Sequence, residues 1–188
     1  MPLKRMISVV LMISLCTLVI FSCAKEKKEP EKAPPEGEKK TISYINENVS
    51  FGIYFDEEGT KRTITLGADE KEFKAHVIVK FPEEMEITAV EYRLVFPDGV
   101  ELENDKFYSK RMMTLGTFES GISESFPCIA GPKLVIHTLT LKVTKELKNA
   151  ELAVLSSLQS DVVGVATCEE GNPLVRSIAY RAVINPVE

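Results

Sequence analysis

The sequence predicts an all-β domain, an antiparallel β-sandwich of jelly-roll or immunoglobulin-like type with about nine strands. Apolar and polar residues alternate with a period of two in several segments between residues 49 and 185, as in strands that bury one face. Clusters of Gly, Pro, Asn and Asp separate these segments, as turns require. Sustained amphipathic helical patterns are missing. We therefore expect one β-sandwich domain over residues 41–188.

The first half of the domain contains the clearest strand pattern. Val49–Phe55 alternates and runs into a turn at Asp56–Gly59, so we expect Arg62–Leu66 to return as its hairpin partner. Phe73–Phe81 places its odd-numbered apolar residues on one face. Its even-numbered polar residues are predicted to face outward: Lys74, His76 and Lys80.

The second half continues with shorter strands. Thr88–Phe96 alternates and ends at the Pro97–Gly99 turn. The charged segment Glu101–Phe107 is assigned to a short helix, and Cys128–Pro132 to a turn. The remaining strands are expected around Met112 and Leu115 and over Leu134–Val143, Glu151–Leu155, Val162–Cys168 and Ser177–Asn185.

The N-terminus has the three parts of an export signal. Lys4 and Arg5 precede the apolar run Ile7–Phe21, and Ile20–Cys23 ends in a small residue before a cysteine. This ending resembles the lipobox of bacterial lipoproteins. The resemblance implies a signal peptide over residues 1–22 and an acylated Cys23 that holds the mature chain on the lipid bilayer outside the cytoplasm. Plain secretion and an uncleaved anchor remain alternatives, although a spanning helix needs about 20 apolar residues.

The residues around Cys23 also bear on where in the cell envelope the domain would lie. The anchored domain would be periplasmic or on the cell surface. Ala24 follows the cysteine, where an Asp would resemble an inner-membrane retention signal, so an outer-membrane location is favoured in a source with two membranes.

Residues 24–40 contain only Ala, Lys, Glu, Pro and Gly. Such a segment cannot bury enough apolar surface to fold, so we expect a tether or, alternatively, a partner-binding strip.

Charge and cysteine content narrow the possible partners. The chain has a net charge of −5, and the excess of acidic residues lies in the domain. This excludes a nucleic-acid-binding surface, which needs a basic face. Cys128 and Cys168 are the two cysteines of the domain, and an exported protein favours a disulfide between them over two free thiols. A structural zinc site needs four ligands and is not expected.

We find no catalytic, cofactor or metal motif. The two histidines, His76 and His137, lie on separate strands, and no GxSxG sequence is present. The pattern places His137 beside Val135 and Leu139 as a partly buried, hydrogen-bonded residue. Acidic residues cluster in predicted turns, where water keeps their pKa values ordinary. Tryptophan is missing, and the tyrosines that could be exposed are Tyr44, Tyr54 and Tyr108.

One stretch of sequence carries a resemblance to a known fold family. The segment from Phe51 to Thr60, FGIYFDEEGT, resembles the opening strand and turn of extracytoplasmic β-sandwich domains related to cohesins and carbohydrate-binding modules. The turn after Cys128, the second cysteine and the closing Ala182–Asn185 occur in a similar order. The resemblance implies a cohesin-like sandwich, but it carries no ligand residue.

Together these features predict a lipid-anchored, non-catalytic domain that presents a binding or scaffolding surface to an unknown protein or glycan. An accessory lipoprotein of envelope assembly or transport is the alternative. A hydrolase of envelope or extracellular polymers is a third possibility.

Overall fold

The computed structural model describes residues 45–67 and 69–187. The predicted signal segment, Cys23, the tether and Tyr44 lie outside the described residues. The described part forms eleven strands. In chain order they are β1 (Ile45–Tyr54), β2 (Thr63–Ile64), β3 (Glu72–Lys80), β4 (Glu86–Val95), β5 (Val100–Phe107), β6 (Met113–Thr117), β7 (Gly121–Ala130), β8 (Lys133–Val143), β9 (Ala150–Leu155), β10 (Gly164–Thr167) and β11 (Leu174–Ile184).

Nine strands follow one continuous order, β5-β8-β3-β1-β11-β10-β4-β7-β6. We call β5, β8, β3 and β1 the first sheet and β10, β4, β7 and β6 the second sheet; β11 joins them. The remaining strands lie off this path, where β2 pairs with β11 and β9 pairs with both β11 and β4. Among the strands of residues 45–67 and 69–187, only the β1–β11 and β2–β11 pairs are parallel. The predicted all-β, largely antiparallel class is therefore confirmed.

The core lies between the two sheets. The Phe51 ring of β1 is 5.5 Å from the Tyr92 ring of β4, measured between centroids. The alternating residues that the sequence predicts to be inward are buried, including Phe73, Val77 and Leu94. Burial of apolar surface stabilises the fold by about 25 cal/mol per Å², so these residues account for much of the stability of the sandwich.

Turn chemistry agrees with the sequence at two positions. Gly59 has a φ of 71°, a left-handed conformation that glycine adopts without steric cost. In the same turn Asp56 accepts hydrogen bonds of 2.8 Å from the backbone amides of Thr60 and Lys61. At the second position the Val100 amide donates to the Pro97 carbonyl oxygen over 3.1 Å. These turns set where β1 and β4 end.

Three predictions about strands are wrong. The segment Arg62–Leu66 contributes only β2, which pairs in parallel with β11 rather than returning along β1. Glu101–Phe107 lies in β5, an edge strand, rather than a helix. The predicted Cys128–Pro132 turn is too long, because Gly121–Ala130 forms β7 beside β4 and only residues 131 and 132 separate β7 from β8.

Cys128 and Cys168 form a disulfide, with their Cα atoms 6.0 Å apart. Cys128 lies in β7, and Cys168 follows β10 directly. Because β7 and β10 are the two neighbours of β4, the disulfide links the strands on either side of it. Among the described residues, no helix is both long enough and apolar enough to cross a membrane.

Candidate functional site

The outer face of the second sheet carries an exposed apolar strip on its last strand. Met113 and Leu115 of β6 are 56% and 62% exposed, and the preceding Met112 is 65% exposed. Because β6 ends the strand order, one side of this strand is free of backbone pairing. Scattered exposed apolar residues are ordinary, but three within four positions of an edge strand form a patch.

Small residues continue this patch across the sheet. Met113 lies opposite Ser125 of β7, and Ser125 lies opposite Ala89 of β4. Ala89 in turn lies opposite Ala166 of β10, which pairs with Leu174 of β11. Directly opposite residues share one face of a sheet. The side chains in the middle of the row are therefore small, and larger apolar side chains lie at its two ends.

Leu115 begins a second, more polar row. It lies opposite Ser123 of β7, which lies opposite Glu91 of β4, and Glu91 pairs with Gly164 of β10. We call these two rows, together with Met112, the β6 face. The β6 face is open rather than enclosed. Its shape suits a broad contact with another protein surface.

A buried polar cluster lies directly behind the β6 face. Its centre is Glu124 of β7, whose side chain is 1% exposed. The carboxylate accepts hydrogen bonds from Arg111 over 2.6 Å and from the Tyr92 hydroxyl over 3.3 Å, and its Oε2 lies 2.7 Å from Nε2 of His137. Thr114 of β6 donates a longer bond of 3.4 Å. The strip on β6 is thus tied to the interior of the sandwich.

His137 lies between two carboxylates that come from different sheets. Its Nδ1 is 2.7 Å from Asp105 of β5, and its Nε2 contacts Glu124 of β7. A bulge in β8, opposite Val77 and Ile78 of β3, turns both Ile136 and His137 inward. His137 is therefore completely buried, more deeply than the sequence predicts.

The charges in the cluster shift the pKa values of its members. Burial opposes protonation of His137, but its bonds to Asp105 and Glu124 outweigh burial and raise its pKa. Burial likewise opposes ionisation of Glu124, but its contacts with His137 and Arg111 lower its pKa. Burial and the neighbouring Glu124 charge keep the pKa of the Tyr92 hydroxyl well above its ordinary value. Both shifts favour the charged forms of His137 and Glu124.

The cluster contains residue types that are common in active sites, but its histidine and its central carboxylate are closed off from solvent. His137 and Glu124 have essentially no exposed surface, so a substrate cannot reach either side chain without opening the sandwich. The expectation that all carboxylates occupy solvated turns is nevertheless wrong, because Glu124 and Asp105 lie on strands. A strand pattern with an acidic residue among apolar ones, as in Ile122, Glu124 and Phe126, was the available signal.

The other predicted residues are separated from the cluster. His76 was expected to face solvent, but it is only 5% exposed, and its Nδ1 lies 3.1 Å from the Thr138 hydroxyl. It pairs with Thr138 while the next residue, Val77, pairs with His137, so the two histidines lie on opposite faces of the first sheet. Tyr54 is buried, and Tyr108 packs edge-on against Phe126 with 6.0 Å between ring centroids.

One group in the described residues has ligand atoms close enough for a metal ion. Glu86 lies with Cys128 and Cys168, and the three ligand atoms are within 4.8 Å of one another. The two sulfur atoms belong to the disulfide, whereas metals bind the thiolate form of cysteine. This group therefore gives no reason to assign a metal centre.

No family model matches the chain, and no curated protein matches it. Among solved structures, a cohesin module from a Clostridium perfringens family 33 glycoside hydrolase is 10% identical, with a TM-score of 0.52 over 76% of this chain and 100% of the module. A type III cohesin from the ScaE cell-surface anchoring scaffoldin of Ruminococcus flavefaciens is 12% identical, with a TM-score of 0.49 over 84% of this chain and 97% of that one.

A third solved structure is a type I cohesin–dockerin complex from Clostridium thermocellum, with 9% identity and a TM-score of 0.46 over 74% of this chain and 99% of that one. The likeness to the Clostridium perfringens module is a likeness of fold. The described domain is therefore an all-β sandwich with the cohesin-like arrangement of strands.

Proposed function

We propose that this domain is a non-catalytic binding module that holds a protein partner on the β6 face. The observation that carries the proposal is the exposed Met112, Met113 and Leu115 strip beside a flat row of small side chains. Interfaces are enriched in methionine and depleted in charge at their centres. The cohesin-like fold supports a binding role rather than a catalytic one.

A protein partner fits the β6 face better than a glycan does. Recognition of sugars by β-sandwiches commonly uses aromatic side chains, and neither row of this face contains one. A row of small side chains beside exposed Met113 and Leu115, at an exposed strand edge, instead suits another folded module. The partner we propose is a protein domain that offers a complementary apolar surface to Met113 and Leu115.

We further propose that the domain is displayed outside the cytoplasm, held by an acylated Cys23 and a tether over residues 24–40. The Cys128–Cys168 disulfide supports an oxidising compartment. Partner capture should therefore use full-length protein extracted from membranes. Mass spectrometry of that material should find acyl chains on an N-terminal Cys23 peptide.

The test compares two exposed leucines on the two edge strands. Leu115→Glu places a charge on the β6 face, and Leu102→Glu places the same charge on β5 at the opposite end of the strand order. We expect a captured and then purified partner to bind wild type and Leu102→Glu alike. Its affinity for Leu115→Glu should fall by about tenfold or more, the loss typical of a disrupted interface centre.

Two results would count against the proposal. One is equal binding of the purified partner to wild type and Leu115→Glu. The other is an equal loss with both variants, which would indicate a general effect of charge rather than a contact on the β6 face.

A further inference from the structure

The outer side of the first sheet carries a cavity that is separate from the β6 face. Its volume is about 350 Å³, at the low end of the size of ligand-binding clefts. It is lined by Tyr54, Gly59, Thr60, Arg62, Lys80 and Tyr180. Three of these residues, Tyr54, Gly59 and Thr60, belong to the FGIYFDEEGT segment that the sequence singles out.

Two glycines shape this cavity. A Cβ atom at Gly52 would lie 2.7 Å from Cε2 of Tyr54, so the tyrosine ring occupies the space that a side chain would take. Gly52 pairs with Tyr180 of β11, which brings the second tyrosine alongside. At Gly59 an added Cβ would lie 3.0 Å from the Lys80 side chain. Larger residues at either position would crowd the cavity.

The cavity is positively charged although the chain is acidic. The guanidinium carbon of Arg62 is 4.7 Å from the Tyr180 ring centroid, and Nζ of Lys80 is 5.0 Å from the Tyr54 centroid. Lys80 also donates a hydrogen bond of 2.7 Å to the Gly59 carbonyl oxygen, which fixes its position. Carboxylates are missing from the described lining, and the nearby Asp56 is occupied by its own turn.

Arg62 is the least satisfied of these groups. In the part of the chain that the structure describes, its guanidinium forms no ion pair. A guanidinium presents a planar fork of N–H donors whose geometry matches carboxylate and phosphate oxygens. Stacking on Tyr180 orients that fork and reduces the conformational freedom that binding would otherwise have to remove.

We propose that this cavity binds a small ligand that carries an oxyanion, a carboxylate or a phosphate, held between Arg62 and Lys80. The Tyr54 hydroxyl supplies a further donor beside the two cations. Burial raises the pKa of Tyr54, so its hydroxyl remains protonated and able to donate at neutral pH. The site lies on the first sheet and is independent of partner binding by the β6 face.

The experiment measures binding to the full-length protein by isothermal titration calorimetry. The probes are glucuronate, a sugar with a carboxylate, inorganic phosphate, and glucose as the uncharged match for glucuronate. The variant is Arg62→Gln. The matched control is Arg181→Gln, which removes the same charge from an exposed arginine that pairs with Glu151 instead of lining the cavity.

We expect at least one of the two anions to bind wild type and Arg181→Gln with equal affinity, and glucose to show no binding. Arg62→Gln should weaken that anion by about tenfold or more, because a charge-assisted hydrogen-bond pair is lost. Binding of glucuronate alone would identify a carboxylated ligand, and binding of phosphate alone would identify a phosphorylated one.

The proposal is overturned if neither anion binds wild type at millimolar concentration. It is also overturned if Arg62→Gln and Arg181→Gln weaken binding equally, since that result describes a general charge effect. A Gly52→Ala variant adds an independent check, because its methyl group would displace the Tyr54 ring and should lower anion affinity while Arg62 is still present.

Discussion

His76 and His137 lie on neighbouring strands, β3 and β8, and both are buried, yet their surroundings differ in kind. His76 has a single hydroxyl neighbour, Thr138. His137 contacts a carboxylate at each ring nitrogen. Burial lowers the pKa of His76, whereas the two carboxylates raise that of His137. Partners rather than depth of burial therefore decide the charge that a histidine carries in this fold.

The difference also separates two roles in the structure. His76 lies on the outer side of the first sheet, and within the described residues its hydrogen bond is to the Thr138 hydroxyl rather than to a charged group. His137 connects Asp105 of β5, one edge strand, with Glu124 of β7, the strand next to the other edge strand, across the core. Arg111 lies between β5 and β6, and its guanidinium carbon is 3.5 Å from the ring centroid of Phe107 in β5. The cluster therefore supports the strand that carries the β6 face.

The largest effect should come from removing the centre of the cluster. Glu124→Ala leaves Arg111, Tyr92 and the imidazolium of His137 without their shared acceptor. Breaking a buried charged pair by removing one partner costs about 3–5 kcal/mol, and we expect a loss of that size in the free energy of unfolding at pH 7. Denaturant unfolding measures it directly.

Glu151→Ala provides the matched control, since Glu151 is paired with Arg181 at the surface. Exposed pairs are typically worth about 0–1 kcal/mol. If Glu124→Ala cost no more than Glu151→Ala, the buried cluster would have no special part in stability.

A smaller effect should appear in the pH dependence set by His137. Because its pKa is raised in the folded state, its contribution is fully present below the unfolded value of about 6.5 and is lost as the pH rises through the folded pKa. The charged and titratable groups facing it are Asp105, Glu124, Arg111 and Tyr92. In a His76→Asn background, the free energy of unfolding should therefore increase as the pH falls from about 8.5 to about 6.5.

Asp105→Asn in the same background should reduce that increase, because Asp105 is one of the two carboxylates that favour the imidazolium. The edge position of Asp105 makes this variant milder than a change at Glu124. A pH profile that is unaltered by Asp105→Asn would show that His137 is not the group responsible.

The smallest effect should come from His76 itself. Its pKa is lowered in the folded state, so its contribution is present above the unfolded value of about 6.5 and is lost as the pH falls below it. His76→Asn should therefore lose less stability than wild type between about pH 6.5 and about pH 5, where ordinary carboxylates stay ionised. Equal losses in the two proteins would mean that His76 keeps an ordinary pKa when folded.

The two strands that the sequence analysis missed are those that supply the carboxylates of the cluster. β5 has the sequence VELENDKF and β7 has GISESFPCIA. Their charged and hydroxyl residues weaken the apolar alternation that identifies a strand. In β5 the polarity reflects an edge strand that faces water, and in β7 it reflects a buried carboxylate whose partners come from other strands. Neither reason can be recognised from the few residues on either side in the sequence.

The sequence by itself determined the all-β class, the inward faces of β1, β3 and β4 and the turn at Asp56–Gly59. Alternation and turn chemistry are local properties, and a few neighbouring residues suffice to express them. Tertiary structure alone decided the pairing of β2 with β11, the inward position of His137 and the assembly of Arg62, Lys80 and the two tyrosines around one cavity. These arrangements bring together residues that are distant in sequence. The distances between them are set by strand register, bulges and the crossing of the chain between sheets, and not by the identity of adjacent residues.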